Sequence, residues 1–93
     1  MTLNGSAQRT VQIVNRMGFH ARPAAEFVKL AGQFTSEIWV AKDDLDVNGK
    51  SIMGVLMLAA EQGSLLVIRA EGADAENAID ALASLVDRGF EEG

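Results

Sequence analysis

Apolar and polar residues alternate from Arg9 to Asn15, with Val11 and Ile13 set against Thr10 and Gln12, and this predicts a first strand. Arg16-Met17-Gly18-Phe19 breaks the alternation, with Gly18 as the turn residue. From Ala21 the period changes. Ala24, Phe27, Val28 and Ala31 fall at helical spacing, which predicts a helix that stops near Gly32, and Phe34 is expected to fold back onto the same core. Ser36 to Lys42 reads as a second strand, Asp43-Asp44 as a turn and Leu45 to Val47 as a short third strand. Asn48-Gly49 ordinarily announces a hairpin, yet Ile52, Val55, Leu56 and Ala59 keep a helical period. A second helix is therefore expected over Ser51 to Ala60, weakened at Gly54 by about 1 kcal/mol relative to Ala. The run Leu65-Leu66-Val67-Ile68 within Ser64 to Glu71 predicts a central, well-covered fourth strand. A third helix follows from Asp74 to Arg88, with Ala75, Ala78, Ile79, Leu82, Leu85 and Val86 on one stripe and Gly89 at its C-cap.

The element order β-α-β-β-α-β-α predicts an α+β fold. Three one-sided helices should cover one face of a four-stranded, mostly antiparallel sheet in an open-faced two-layer sandwich. A chain of 93 residues supports one domain, taken as residues 8 to 93, with residues 1 to 7 as a flexible leader. Hydrophobic residues are 48% and charged residues 23%, which excludes a disordered chain. The absence of Cys excludes a disulfide scaffold and thiolate metal sites, and a single His cannot form a histidine cluster. Asp43, Asp44 and Asp46 lack the spacing of a calcium loop, so neither a metal nor another cofactor is expected.

The net charge of −5 argues against general nucleic-acid binding, and no apolar run suggests membrane insertion. Charge is unevenly distributed. Residues 1 to 42 hold five basic and two acidic side chains, +3, whereas residues 43 to 93 hold three basic and eleven acidic ones, −8. The only histidine lies in the cationic part.

That histidine stands in Gly18-Phe19-His20-Ala21-Arg22-Pro23-Ala24. Pro23 fits the first helical turn, where its missing N–H costs nothing, and His20 falls at the N-cap. Free N–H groups of that turn and the planar cation of Arg22 make an anion site beside the imidazole. The positive helix end also disfavours a protonated ring, which suits a neutral nucleophile. Two readings follow from these residues: phosphoryl acceptance by a ring nitrogen, or an ordinary capping histidine.

Gly18 to Ala25, GFHARPAA, resembles the active-site segment of the histidine-containing phosphocarrier (HPr) family of the bacterial phosphoenolpyruvate-dependent phosphotransferase system, and the element order matches that fold. Asn48 to Leu58, NGKSIMGVLML, resembles the family's regulatory serine segment. The resemblance implies that His20 takes a phosphoryl group on Nδ1 from enzyme I and passes it to an enzyme IIA histidine, with Arg22 stabilising it. It implies further that Ser51, also a natural N-cap, is phosphorylated by HPr kinase/phosphorylase, and that Phe19, Ala21, Ile52, Met53 and Leu56 form an apolar docking patch. A cytoplasmic monomer that carries a group without turning over substrate is the corresponding expectation. The sugar branch and the nitrogen-related (NPr) branch both fit, and a small-molecule-binding regulatory domain is the alternative from another class.

Overall fold

The computed structural model describes residues 5–92. Four strands, β1 (Gly5–Gln12), β2 (Glu37–Lys42), β3 (Leu45–Asn48) and β4 (Leu65–Gly72), form one sheet in the order β1-β4-β2-β3. All three strand pairs are antiparallel, with Val11 opposite Leu66 in β1–β4 and Val40 opposite Ile68 in β2–β4. The helices are α1 (Ala21–Ala31), α2 (Ile52–Met57) and α3 (Ala75–Asp87), followed by a closing 3-10 turn, Gly89–Glu91. This is the expected β-α-β-β-α-β-α sandwich.

The strand alternation gives one face to the core: Val11, Ile38, Val40, Val47, Leu66, Ile68 and Ala70 are buried. Against them pack Ala24 and Phe27 of α1, Val55 of α2 and Ala78, Ile79, Leu82 and Val86 of α3, the residues of the predicted helical stripes. Phe34 joins this core at its margin, as expected.

The structure differs from the sequence reading in three places. β1 begins at Gly5, and Gly5 to Ala7, read as leader, pair with Gly72 to Ala70 across the edge of β4. The rest of that leader, residues 1 to 4, lies outside the described residues. β4 is central but covered on one face only: Leu65 is 61% exposed on the open side, because three helices suffice for a single layer. Strand alternation, not the apolar run, sets which residues are covered.

α2 is shorter than Ser51 to Ala60, since Ala59 takes a left-handed φ of 48° and turns the chain out of the helix. Lys42 Nζ lies 3.3 Å from the carbonyl oxygen of Leu58 and 3.4 Å from that of Ala59, which satisfies that helix end. Gly54, the weak point of the predicted helix, has a packing reason: a Cβ there would lie 3.3 Å from both Asn48 O and Val47 Cβ, so glycine lets α2 sit close on β3.

The start of α3 is tied to β2. Asp74, the N-cap residue, accepts from the backbone N–H groups of Thr35 and Ser36, each at 2.9 Å, and from the Ser36 hydroxyl. Those bonds, the Ser36 hydroxyl first, hold its carboxyl down at about 2 from an ordinary 3.8. Because the folded value is the lower one, this contact stabilises fully above the ordinary value and is lost as pH falls from 3.8 towards about 2. Asp74→Asn should therefore be less stable than the parent at neutral pH, and the gap should close on acidification. Urea midpoints across that range read the gap directly; one that stays constant with pH would show that the Asp74 charge is not what ties α3 to β2.

Candidate functional site

The loop between β1 and α1 is fixed before it reaches the histidine. Asn15, fully buried, donates from Nδ2 to the carbonyl of Gly18 at 2.8 Å, while Gly18 N–H donates back to Asn15 O at 3.2 Å. Phe19 N–H donates to Ala60 O at 2.8 Å, pinning the loop to the turn after α2. Gly18 has φ 69°, and a Cβ on it would stand 2.5 Å from Ala60 O, so both its backbone freedom and its lack of side chain are used.

His20 is the N-cap residue of α1 in extended backbone, φ −81° and ψ −170°, and its side chain makes no capping bond. The imidazole is free to do something else. It lines two open clefts of about 430 Å³ each: one with Arg16, Met17, Phe19 and Ala59 to Gln62, the other with Arg16, Met17 and Glu92.

Its Nε2 is 2.8 Å from Oε1 of Glu92, which also accepts from Asn15 Nδ2 at 2.7 Å. The second oxygen of Glu92 accepts from Arg22 Nη2 at 2.7 Å. Arg22 also pairs with Glu26 one helical turn further on, and Glu92 thereby joins both halves of the predicted His-Arg motif. The bond from His20, with those from Asn15 and Arg22, holds the Glu92 carboxyl at about 2, well below its ordinary 4.5, against an opposing push from partial burial. The bond to Glu92 is the main reason the Arg22 guanidinium sits above its ordinary value.

Glu92, Asn15 and Arg16 were not singled out as site residues by sequence reasoning. The one available signal for Glu92 is Phe90: an aromatic directly after the helix stop at Gly89 has to dock somewhere. Its ring lies 5.4 Å from that of Phe19, which meets Phe27 edge-on at 5.5 Å. This corrects the place of Phe19, which at 4% exposure is core and cannot present an apolar docking surface.

Ala21 is exposed, as are Ile52, Met53 and Met57, whereas Leu56 is half-buried against the core. Met17, 70% exposed beside His20, adds an apolar side chain that the sequence reading left out of the patch. Lys50 is bound to Phe34 O at 2.7 Å, whereas Arg16 lines both clefts beside His20.

Ser51 caps α2, its hydroxyl accepting from Gly54 N–H at 3.1 Å. It shares neither a hydrogen bond nor either cleft with His20. Among the described residues no group of three or more His, Cys, Asp or Glu side chains is placed to hold a metal, and no helix is long and apolar enough to cross a membrane.

A family profile described as the PTS HPr component phosphorylation site matches residues 7–88. The phosphocarrier protein HPr of Neisseria meningitidis is 45% identical over 86 residues, covering 92% of this chain and 97% of that protein. Among solved structures, HPr-C-His from Thermoanaerobacter tengcongensis superposes with a TM-score of 0.90 at 48% identity, covering 94% of this chain and 98% of the other. HPr from Bacillus anthracis gives 0.85 at 46% identity, covering 88% and 98%. The matched span holds the β1–α1 loop, His20 and Arg22, and with them the sandwich from within β1 to the end of α3. The chain belongs to the HPr family of the phosphotransferase system, phosphoryl carriers rather than enzymes.

Proposed function

We propose that His20 is the phosphoryl-carrying residue, loaded on Nδ1 by phospho-enzyme I and unloaded to a histidine of an enzyme IIA. The observation that carries this reading is the imidazole at the head of α1, released from capping and engaged on Nε2 alone, which leaves Nδ1 without a hydrogen bond among the described residues. Arg22, in the first helical turn, supplies the planar cation for a group that spreads charge over three oxygens. Transfer between two ring nitrogens needs positioning and charge stabilisation more than it needs acid–base chemistry. One chain provides every one of these groups, so a monomer suffices, and a cytoplasmic setting goes with these partners.

Incubation with phosphoenolpyruvate and enzyme I should give an acid-labile adduct that peptide mapping and phosphorus NMR place on His20 Nδ1. An acid-stable adduct, or label on another peptide, would overturn the assignment.

Ser51 is read as the regulatory residue, a substrate of HPr kinase/phosphorylase. A phosphate there is tolerated by the helix end but adds about two negative charges beside the exposed Ile52 and Met53. Ser51→Asp should keep stability within about 0.5 kcal/mol and slow loading by enzyme I, with the difference shrinking as salt is added. Loading rates equal to the parent's at low salt would leave Ser51 as a cap only. The sugar branch is the primary reading and the nitrogen-related branch the alternative; loading of the enzyme IIA of one branch and not the other decides between them.

A further inference from the structure

We propose that Glu92 is a positioning residue for His20: its carboxylate keeps the proton of the neutral imidazole on Nε2, so that the Nδ1 lone pair faces the incoming phosphoryl group, and then serves as counter-charge to the loaded ring. The inference rests on His20 being the phosphorylated residue.

The geometry fixes the tautomer. An ionised carboxylate is an acceptor only, so an Nε2 lying 2.8 Å from Glu92 Oε1 carries the hydrogen. In a neutral imidazole the other nitrogen is then the nucleophile. The carboxylate is not free to swing away, because its two oxygens are held by three donors: Asn15 and His20 on Oε1, and Arg22 on Oε2.

Asn15 is fully buried and spends its second amide hydrogen on Gly18 O, so its direction is set by the loop. The backbone that delivers Glu92 is equally determined. Phe90, 1% exposed against Phe19, anchors the turn, and left-handed φ values of 54° at Phe90 and 60° at Glu91 bring the next side chain back over the imidazole. Two successive non-glycine residues in that conformation are costly unless the surroundings over-determine them, and here they serve to place a carboxylate at a histidine.

The transfer step balances without a proton leaving the ring. The P–N bond of the donor's phosphohistidine breaks, and its electron pair returns to the donor nitrogen. The Nδ1 lone pair of His20 forms the new N–P bond. Nε2–H stays in place, so the His20 ring becomes a phosphorylated imidazolium, with Glu92 already against its positive edge. The arrangement parallels the carboxylate that orients the histidine and stabilises its imidazolium in a serine-protease triad. Unloading is the same step reversed. The other charged groups facing the ring are Arg22 from α1, Arg16 from the preceding loop and Glu61 across the first cleft, none of which contacts Nε2.

Nitrogen-15 spectra of labelled histidine, taken where the ring is neutral, should show Nε2 protonated and Nδ1 bare in the parent. Glu92→Ala should mix the two tautomers and slow loading by enzyme I about 10- to 100-fold, the range known for removing the carboxylate behind a metal-binding imidazole. Glu92→Gln keeps an acceptor oxygen and loses the charge; it should retain most of the tautomer preference yet still load slowly. Glu91→Gln, whose carboxylate reaches only Arg88, should match the parent in both readouts. The proposal stands only if tautomer and rate move together in Glu92→Ala. A parent ring protonated on Nδ1, or in Glu92→Ala a change in one readout without the other, overturns it and leaves His20 as the carrier. Continued labelling of His20→Ala would instead remove the reading on which it rests.

Discussion

A His20→Ala chain should accept no phosphoryl group from phosphoenolpyruvate and enzyme I, and should pass none on. The chain has one histidine, so no second imidazole can substitute for it. The neighbours cannot take over its role: Arg22 is a cation without a nucleophilic lone pair at neutral pH, and Glu92 stays bound to Asn15 and Arg22. The domain should stay folded. His20 makes no capping bond to α1, and Glu92 keeps Asn15 and Arg22 when the imidazole is gone. The expected result is therefore labelling below detection in a domain that still folds, the lost bond to Glu92 costing about 1 kcal/mol of unfolding stability. Loss of labelling accompanied by unfolding would make the experiment a test of stability rather than chemistry, and His20→Gln, which keeps bulk and polarity, would then separate the two.

Gly18→Ala should be the most disruptive single-methyl change at the site. At φ 69° an alanine costs about 1–2 kcal/mol in backbone strain alone. Its Cβ would also stand 2.5 Å from the carbonyl oxygen of Ala60, which is backbone and holds the hydrogen bond from Phe19 N–H. Relieving that overlap costs on the order of 1–3 kcal/mol more, so about 2–5 kcal/mol is lost from a domain whose total stability is on the order of 5–15 kcal/mol. Gly63→Ala is the matching control. Gly63 also has a positive φ, 92°, but nothing lies within 4 Å of its would-be Cβ, so it should show the backbone strain alone. Urea unfolding should rank Gly18→Ala clearly below Gly63→Ala, and equal losses would mean that the approach to Ala60 does not constrain the loop. Loading by enzyme I should fall in Gly18→Ala even where the domain remains folded, because the residue two places on is His20.

What could be read from the sequence was what local pattern controls. The stripes of α1 and α3, the alternation of the strands, the Ser51 cap and the His20-Arg22-Pro23 cluster all lie within short windows, and each appears where periodicity and capping chemistry put it. The apolar run in β4 misled in one respect, since Leu65 and Val67 are apolar on a face that the three helices leave open. Phe19 misled differently: it adjoins the histidine in sequence and reads as surface, but Phe90 closes over it from the opposite end of the chain. Glu92 was illegible for the same reason. Its partner is 72 residues away, and nothing in Glu91-Glu92 marks the two left-handed residues that aim it. Local patterns gave the platform and the imidazole; the carboxylate beside it is purely a product of tertiary packing.

That separation of 72 residues has a consequence for a chain being made. Synthesis runs from the N-terminus, so the imidazole leaves the ribosome long before the carboxylate that orients it. β1 likewise waits for β4, its only neighbour in the sheet. On the role proposed for Glu92, a nascent or partly unfolded molecule displays its histidine without a fixed tautomer and without a counter-charge, and competes poorly for enzyme I. Phosphoryl groups then flow mainly through finished molecules, and the closing turn acts as a quality mark that only a completed fold can carry.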